Sequence, residues 1–229
     1  MTRRRCGWLG AVVVGLGVSA GAQDPLVTLP KNYWMEFQNP WVKVIHAHYP
    51  AGETLAVHDH PATATLYVYL NDAGELRFLH SGPHELPVTR KPVQTGQMRI
   101  AAARAETHRV ENMSATDSDS LRVEFQTIKF PQDMPDVRIP PADAAFWAMA
   151  APNAVVYEDA RVRVTRLGLA PGREKFFRSA AKDVLWIAVR VEGASFGGKA
   201  ANAGQCWDSS MLGVKAGKEK VEVVEVEEK

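Results

Sequence analysis

Gly52-Glu53-Thr54-Leu55-Ala56-Val57-His58-Asp59-His60 is a glycine turn that leads into two histidines one residue apart. Successive side chains of a β-strand point to opposite faces, so both imidazoles of an H-x-H pair lie on the same face. Two neutral imidazoles need only one or two more donors to bind a divalent metal. His108, further along the chain, is the third candidate ligand. The alternative is a set of histidines that alternate along a strand and bind nothing.

The glycines and histidines together resemble the two-part signature of the cupin superfamily. Gly52, five residues and then His58-x-His60 match the first part. Gly96 and His108-x-x-x-Asn112 match the second part, with one extra residue between the glycine and the histidine. The resemblance implies that His58, His60 and His108 are metal ligands, whereas Asn112 is better explained as a residue at a turn or a strand end.

A longer stretch, Trp41–Gln126, is similar to small single-domain bacterial cupins of the β-alanine-degradation type. The similarity consists of a WVKV strand, a PxGE turn, an HxHP segment and a closing THRVEN segment that precedes a VEF strand. Cupins are antiparallel β-barrels, also described as double-stranded β-helices or jelly rolls. The resemblance therefore implies a barrel with its site at the mouth.

The second part of the signature and the ligand set depart from the family pattern. Ala102 and Arg104 stand near the places of its internal proline and glycine, and Ala64 and Thr65 stand where its glutamate ligand is expected. Three imidazoles without a carboxylate leave an open and cationic metal site. Such a site suits Fe, Zn, Ni or Cu as divalent ions and is less suited to manganese, which favours oxygen ligands.

An internal duplication is visible without gaps at an offset of 120 residues. Phe37–Val44 aligns with Tyr157–Val164, and Gly52 aligns with Gly172. A repeat of this length indicates duplicated domains, because solenoid repeats have periods of roughly 20–50 residues. The alternative is chance similarity between two strands with glycine turns. The duplication predicts a two-domain, bicupin-like protein.

The second copy lacks the histidines of the first. Arg178 and Ala180 take the places of His58 and His60, and no histidine follows His108. We therefore expect a degenerate, metal-free second barrel that serves as a packing partner or a lid. A guanidinium in the former pocket would be buried, so we expect Glu174 or Asp183 beside Arg178.

The N-terminus has the pattern of a secretory signal peptide. Three arginines precede an apolar run from Trp8 to about Val18, and Ala20-Gly21-Ala22 is an A-x-A cleavage site. We predict cleavage after Ala22 and a periplasmic or secreted protein, with the Sec and twin-arginine routes both open. Removal of the three arginines changes the formal charge from +1 to −2. A near-neutral chain without a basic stretch indicates no nucleic-acid partner.

Short apolar and alternating runs punctuated by glycine and proline predict an all-β fold. We expect a signal peptide at 1–22, a cupin domain with the metal-binding H-x-H pair at 23–130, a proline-rich linker at 131–143 and the degenerate cupin-like domain at 144–229. No membrane span is expected once the signal is removed, and a homodimer stays open. Cys206 is then a lone thiol, so no internal disulfide forms.

Several other polar residues compete for a functional role. His46 and His48 share a strand face and are the main rivals for the metal, with His46 also a candidate partner of a ligand. His80 and His84 flank a turn and are expected to be solvated. The pocket could be lined by residues that orient an anionic ligand, namely Tyr67, Tyr69 and Arg99.

Three functions fit these observations. The first is an exported, metal-dependent cupin enzyme of the oxygenase, isomerase or lyase class that acts on a small polar or carboxylated molecule. The second is a non-catalytic module that binds a metal or a small molecule, which the missing glutamate favours. The third is a structural protein with a vestigial site. One fold hosts many chemistries, so the fold alone does not choose among them.

Overall fold

The computed structural model describes residues 23–81 and 86–229, and the predicted signal peptide lies outside this part of the chain. Its first half is a sheet of eight strands with antiparallel pairings and the order β1-β2-β7-β3-β6-β4-β5, in which β8 pairs with β6. A short helix, α1 (Pro25–Thr28), precedes the sheet. The strands are β1 (Tyr33–Gln38), β2 (Val42–Tyr49), β3 (His58–Tyr69), β4 (Leu76–His80), β5 (Val88–Arg90), β6 (Met98–Asn112), β7 (Ser118–Phe125) and β8 (Val137–Ile139).

The second half contains two smaller antiparallel sheets that follow a second short helix, α2 (Ala144–Trp147). The five-stranded sheet has the order β15-β12-β17-β10-β9, and the four-stranded sheet has the order β11-β16-β13-β14. The strands are β9 (Asn153–Glu158), β10 (Val162–Leu169), β11 (Glu174–Arg178), β12 (Val184–Arg190), β13 (Ser195–Phe196), β14 (Lys199–Ala200), β15 (Cys206–Trp207), β16 (Met211–Lys215) and β17 (Val221–Glu228). The all-β, antiparallel prediction is confirmed.

One apolar core joins the two halves face to face. Alternating residues of β2, β3 and β7 pack against alternating residues of β10, β12 and β17, because each strand turns every second side chain toward the partner sheet. Val44 and Val164 are fully buried members of this core. A second core fills the space between the two sheets of the second half, with Trp186 at its centre. A third core lies inside the first half and contains Tyr33 and Leu76. It adjoins the metal-site candidates, because Tyr33 contacts His58.

Two long strands position the site. β3 and β6 pair along most of their length, and the register shifts once on each side of Thr63. A β-bulge bends a strand and changes which residues face each side. Beyond the bulges Ala64 faces the core between the halves, whereas Thr65 faces a small cavity beside Arg122.

The proline-rich segment predicted as a linker contributes a strand of its own. β8 pairs with β6 between Met98 and Ile100, so this part of residues 131–143 is attached to the first sheet. Within the described part of the chain, neither helix has the length and apolarity that a membrane crossing needs.

Candidate metal centre and adjoining cavity

The three predicted ligands lie together on neighbouring strands. β3 supplies His58 and His60 from the same face, and β6 places His108 directly opposite His58. The ring centroids are 4.9 Å apart for His58 and His60, 4.9 Å for His58 and His108, and 5.0 Å for His60 and His108. Each ring offers a nitrogen within 4.8 Å of the other two, which is the arrangement a metal ion needs.

All three rings are buried and neutral. The exposed fraction is 0% for His58, 3% for His60 and 2% for His108. Burial lowers the pKa of His58, and burial together with the charge of Arg122 holds the pKa of His60 well below its usual value. Burial and the neighbouring His58 and His80 lower the pKa of His108 to about 3. Neutral imidazoles are the form that binds a metal.

Several ring nitrogens of the cluster have no partner in the part of the chain that the structure describes. Nε2 of His60 and both nitrogens of His108 are buried without a hydrogen bond to any described residue. A buried polar group without a partner costs about 1–3 kcal/mol, so three at one point indicate a ligand. A divalent metal bound by these nitrogens would remove that cost.

His58 is held differently, because both of its nitrogens are paired. Its Nδ1–H donates to the carbonyl of Ala56 at 2.8 Å, which leaves Nε2 as the acceptor. The hydroxyl of Tyr33, on β1, donates to this Nε2 at 2.9 Å. The hydroxyls of Tyr33 and Tyr49 are 3.1 Å apart. Tyr33 therefore occupies the lone pair that a metal would use.

A second group of donors lies on the other side of His108. β4 places His80 opposite His108, so the rings of His58, His108 and His80 form a row across three strands. The centroids of His80 and His108 are 5.3 Å apart. Glu106 Oε2 lies 3.7 Å from His108 Nδ1, and His80, Glu106 and His108 also form a group with donor atoms within 4.8 Å.

A cavity of about 450 Å³ opens beside His108. Its walls include His80, Glu106 and His108, so a molecule in the cavity would contact this side of the candidate metal centre. The three residues predicted to line a pocket, Tyr67, Tyr69 and Arg99, all lie in its wall. The other polar wall residues include Arg90, Lys91, Arg104, Ser120, Arg122, Asp136 and Arg138.

Arg122 is the most buried cation of this wall, at 6% exposure. It donates to the hydroxyl of Tyr67 at 2.9 Å and pairs with Glu124 at 3.3 Å. Burial works against its charge, but Tyr67 and Glu124 outweigh burial and raise the pKa of Arg122. The charge of Arg122 lowers the pKa values of all three metal-site histidines, which places a permanent cation near them.

The rival histidines lie elsewhere. His46 Nε2 and His48 Nδ1 both pair with Asp119 Oδ1, at 3.1 and 2.9 Å. His46 also stacks on Trp34 with 4.0 Å between ring centroids, and neither histidine joins the metal-site group. His84 lies outside the described residues. His80 is half-buried in the cavity wall, so the prediction that it is simply solvated is wrong.

Asn112 has the structural role that its position indicated. Its side chain ends β6 by donating to the carbonyls of Tyr49 and Thr116, at 2.8 and 2.9 Å, and by accepting from the backbone N–H of Ser114. Both ends of the amide are therefore used, and nothing remains for a metal.

In the second half, the prediction for Arg178 is wrong. The residue lies on β11 and is exposed, and it forms no ion pair with Glu174 or Asp183 among the described residues. The physical reason is that β11 has alternating burial, in which Phe177 faces the core and Arg178 faces solvent. No metal-binding group was found in the described part of the second half.

The strand order, the paired halves and the histidine cluster define a cupin-fold protein with a candidate three-histidine metal centre. No known family profile matches the chain, and no curated protein does. Solved structures do match. The bacterial pirin YhhW from Escherichia coli, in complex with nickel(II), has a TM-score of 0.53 at 15% identity, over 85% of this chain and 90% of its own.

Two further structures are similar along nearly their whole length. YhaK from Escherichia coli has a TM-score of 0.52 at 10% identity, over 91% of this chain and 98% of its own. AerE from Microcystis aeruginosa has a TM-score of 0.52 at 10% identity, over 86% of this chain and 97% of its own. At these identities the similarity shows a shared fold, and the cupin fold expected from the sequence is confirmed.

Proposed function

We propose that the protein binds one divalent metal through His58, His60 and His108 and a small molecule in the cavity beside His108. The observation that carries the proposal is the convergence of three buried, neutral imidazoles, two of which, His60 and His108, have ring nitrogens without a partner among the described residues. Three imidazoles suit iron, zinc, nickel or copper. The nickel(II) bound to YhhW adds a reason to include nickel in the first trials.

We further propose that the site is catalytic and of the oxygenase, isomerase or lyase class. A metal held in this way supplies Lewis-acid chemistry, because it polarises an oxygen of a bound molecule or of water. The chain itself supplies a cavity wall of fixed cations and tyrosines that binds and orients the molecule. The second candidate function is non-catalytic binding of a metal or small molecule, which the absence of a carboxylate at Ala64 and Thr65 favours. A structural protein with a vestigial site is the third.

The experiment is elemental analysis of the purified mature protein and of His58→Ala, His60→Ala and the double variant. We expect about one metal per chain in the parent, and loss of the metal in each variant with the fold retained by circular dichroism. His48→Ala is the matched control, because His48 lies on the same sheet but pairs with Asp119. Full metal occupancy in the double variant would contradict the proposal.

Export to the periplasm or medium is proposed from residues 1–22, which resemble a signal peptide. N-terminal sequencing of the mature protein tests it, with Gln23 expected as the first residue. A homodimer also stays a prediction.

The two-domain, duplicated organisation is proposed from the 120-residue repeat. The pairing of β2 and of its counterpart supports it: β2 pairs antiparallel with β7, and β10, 120 residues after β2, pairs antiparallel with β17.

A further inference from the structure

The wall of the cavity beside His108 is strongly biased in charge. Six cationic side chains line it, against two acidic ones, Glu106 and Asp136. Low-dielectric walls strengthen the field of such a cluster, so the cavity concentrates anions and disfavours cations. The bias concerns the cavity as a whole and does not depend on the metal.

Two of these cations have donors that lack an acceptor. The Nε atoms of Arg90 and Arg99 are buried and form no hydrogen bond with a described residue. Other contacts hold their guanidinium groups in place. Arg90 donates from Nη2 to the hydroxyl of Ser118 at 3.0 Å and lies 5.1 Å from the ring centroid of Tyr69. Arg99 pairs through Nη1 with Asp136 at 2.7 Å and lies 4.1 Å from the ring centroid of Tyr67. The unpaired Nε–H of each fixed guanidinium can donate a charge-assisted hydrogen bond to a carboxylate oxygen.

Arg122 adds a third cation that is already oriented. The Tyr67 hydroxyl binds its Nη1 at 2.9 Å, whereas the two contacts to Glu124 are longer, at 3.3 and 3.4 Å. Tyr67 therefore lies between Arg99 and Arg122, with Arg99 on its ring and Arg122 at its hydroxyl. This tyrosine fixes both guanidinium groups on the cavity wall.

Apolar and aromatic side chains form another part of the wall. Tyr49, Phe78, Val88, Val93 and Met98 contribute to it. A small inorganic anion would leave these side chains against water, whereas an organic body would cover them. The wall thus combines anion recognition with a surface for a flat, apolar group.

We propose that this cavity binds a small organic carboxylate with an apolar, ring-sized body, and that Arg90, Arg99 and Arg122 recognise its carboxylate. The inference deepens the proposed function, because it names the ligand class of the same site. Arg99 and Arg122 are specificity residues in this scheme, and Tyr67 is the residue that positions them.

The first test compares two probes of equal shape, benzoate and benzamide, which differ in charge. Both are titrated calorimetrically into the metal-loaded mature chain. Because a charge-assisted hydrogen bond is roughly twice as strong as a neutral one, benzoate should bind about tenfold tighter or more. Equal binding of the two probes, or no binding of benzoate at millimolar concentration, would overturn the proposal.

The second test removes single cations. Arg99→Gln and Arg122→Gln should each lower benzoate affinity about tenfold and leave benzamide affinity unchanged. Arg77→Gln is the matched control, because Arg77 lies on the same sheet and pairs with Glu111 away from the cavity wall. Arg122 is buried, so Arg122→Gln can fail to fold. In that case the result for Arg99→Gln is the deciding one. An undiminished preference for benzoate in Arg99→Gln would overturn the proposal.

Metal content measured on the same samples separates the two claims. If benzoate binds with the expected preference to a chain that takes up no metal, the proposed metal function fails and the ligand class stands. If metal is bound by the histidines and benzoate is not, the ligand class fails alone.

Discussion

Tyr33 is the residue whose role is least apparent from its position in the chain. It reaches the centre from β1 and donates to the one nitrogen of His58 that a metal can use. Tyr33→Phe removes this competitor while keeping the ring in the core. Since a hydrogen bond contributes about 0.5–1.5 kcal/mol, metal affinity should rise roughly two- to tenfold in a competition titration. Tyr49→Phe is the control, and a fall in affinity for Tyr33→Phe would instead mean that the phenol is a ligand.

Glu106 is the carboxylate nearest to a proposed ligand, with 3.7 Å between its Oε2 and Nδ1 of His108. A ligating histidine usually donates its second N–H to such a group, which fixes the ring. Glu106→Gln should therefore weaken metal binding about 10–100-fold. Glu111→Gln, on the same strand but paired with Arg77 and Arg109, should leave the affinity unchanged. Equal affinities in both variants would exclude a supporting role for Glu106.

At the scale of single strands, the bulges in β3 decide which position could accept the missing glutamate. Ala64 packs in the core between the halves, whereas Thr65 lines a cavity with Arg99 and Arg122. Ala64→Glu would bury an unpaired carboxylate and should cost on the order of 3–5 kcal/mol in the free energy of unfolding, measured in urea. Thr65→Glu should cost less, since two cations can pair with it. Similar losses for both variants would contradict this orientation of β3.

The same strands show what a sequence can reveal about a site. Alternation predicted that His58 and His60 share a face, and the cupin resemblance predicted His108. Of the residues that prediction missed, Glu106 stands two residues before His108 on β6, so alternation alone could have placed it on the same face. Tyr33 enters through the packing of β1 against a strand distant in sequence. No local pattern encodes that packing.

Arg122 was also missed, although the sequence pattern of its strand contains a signal for it. On β7, Leu121 and Val123 are core residues, whereas Ser120, Arg122 and Glu124 alternate with them and are also buried. A polar face on a fully buried strand indicates that this face lines a site. The all-β class was predictable because glycine and proline separate its short apolar runs. Of the cations in the cavity wall, only Arg99 was predicted from the sequence.

In the molecule as a whole, a buried arginine of the second half, Arg166, donates across to the first half. Arg166 pairs with Glu222 at 2.9 Å and donates to the carbonyls of Gly96 and Pro140, at 2.7 and 2.8 Å. Gly96 has a φ of 79°, and a Cβ there would lie 2.6 Å from Glu222 Oε1. The cupin-signature glycine therefore allows a close approach of the two halves as well as a turn.

Loss of the Arg166 guanidinium should be costly. Arg166→Gln is expected to lower the free energy of unfolding by about 1–3 kcal/mol, because the carbonyls of Gly96 and Pro140 lose a buried donor while Glu222 keeps its pair with Arg190 at 3.1 Å. Arg163 lies on the same strand as Arg166, and Arg163→Gln breaks its exposed pair with Glu158 of β9. This variant should cost about 1 kcal/mol or less. Chemical unfolding of both variants checks this, and equal effects would show that Arg166 does not stabilise the contact between the halves.

The most direct test of a metal centre at His58, His60 and His108 is a crystal structure of the nickel-loaded mature protein with an anomalous difference map. The strongest anomalous peak should lie about 2.0–2.2 Å from one nitrogen each of His58, His60 and His108, with the Tyr33 hydroxyl displaced from His58. A strongest peak at His46, His48 and Asp119, or none at the three histidines of a nickel-loaded chain, would contradict the account.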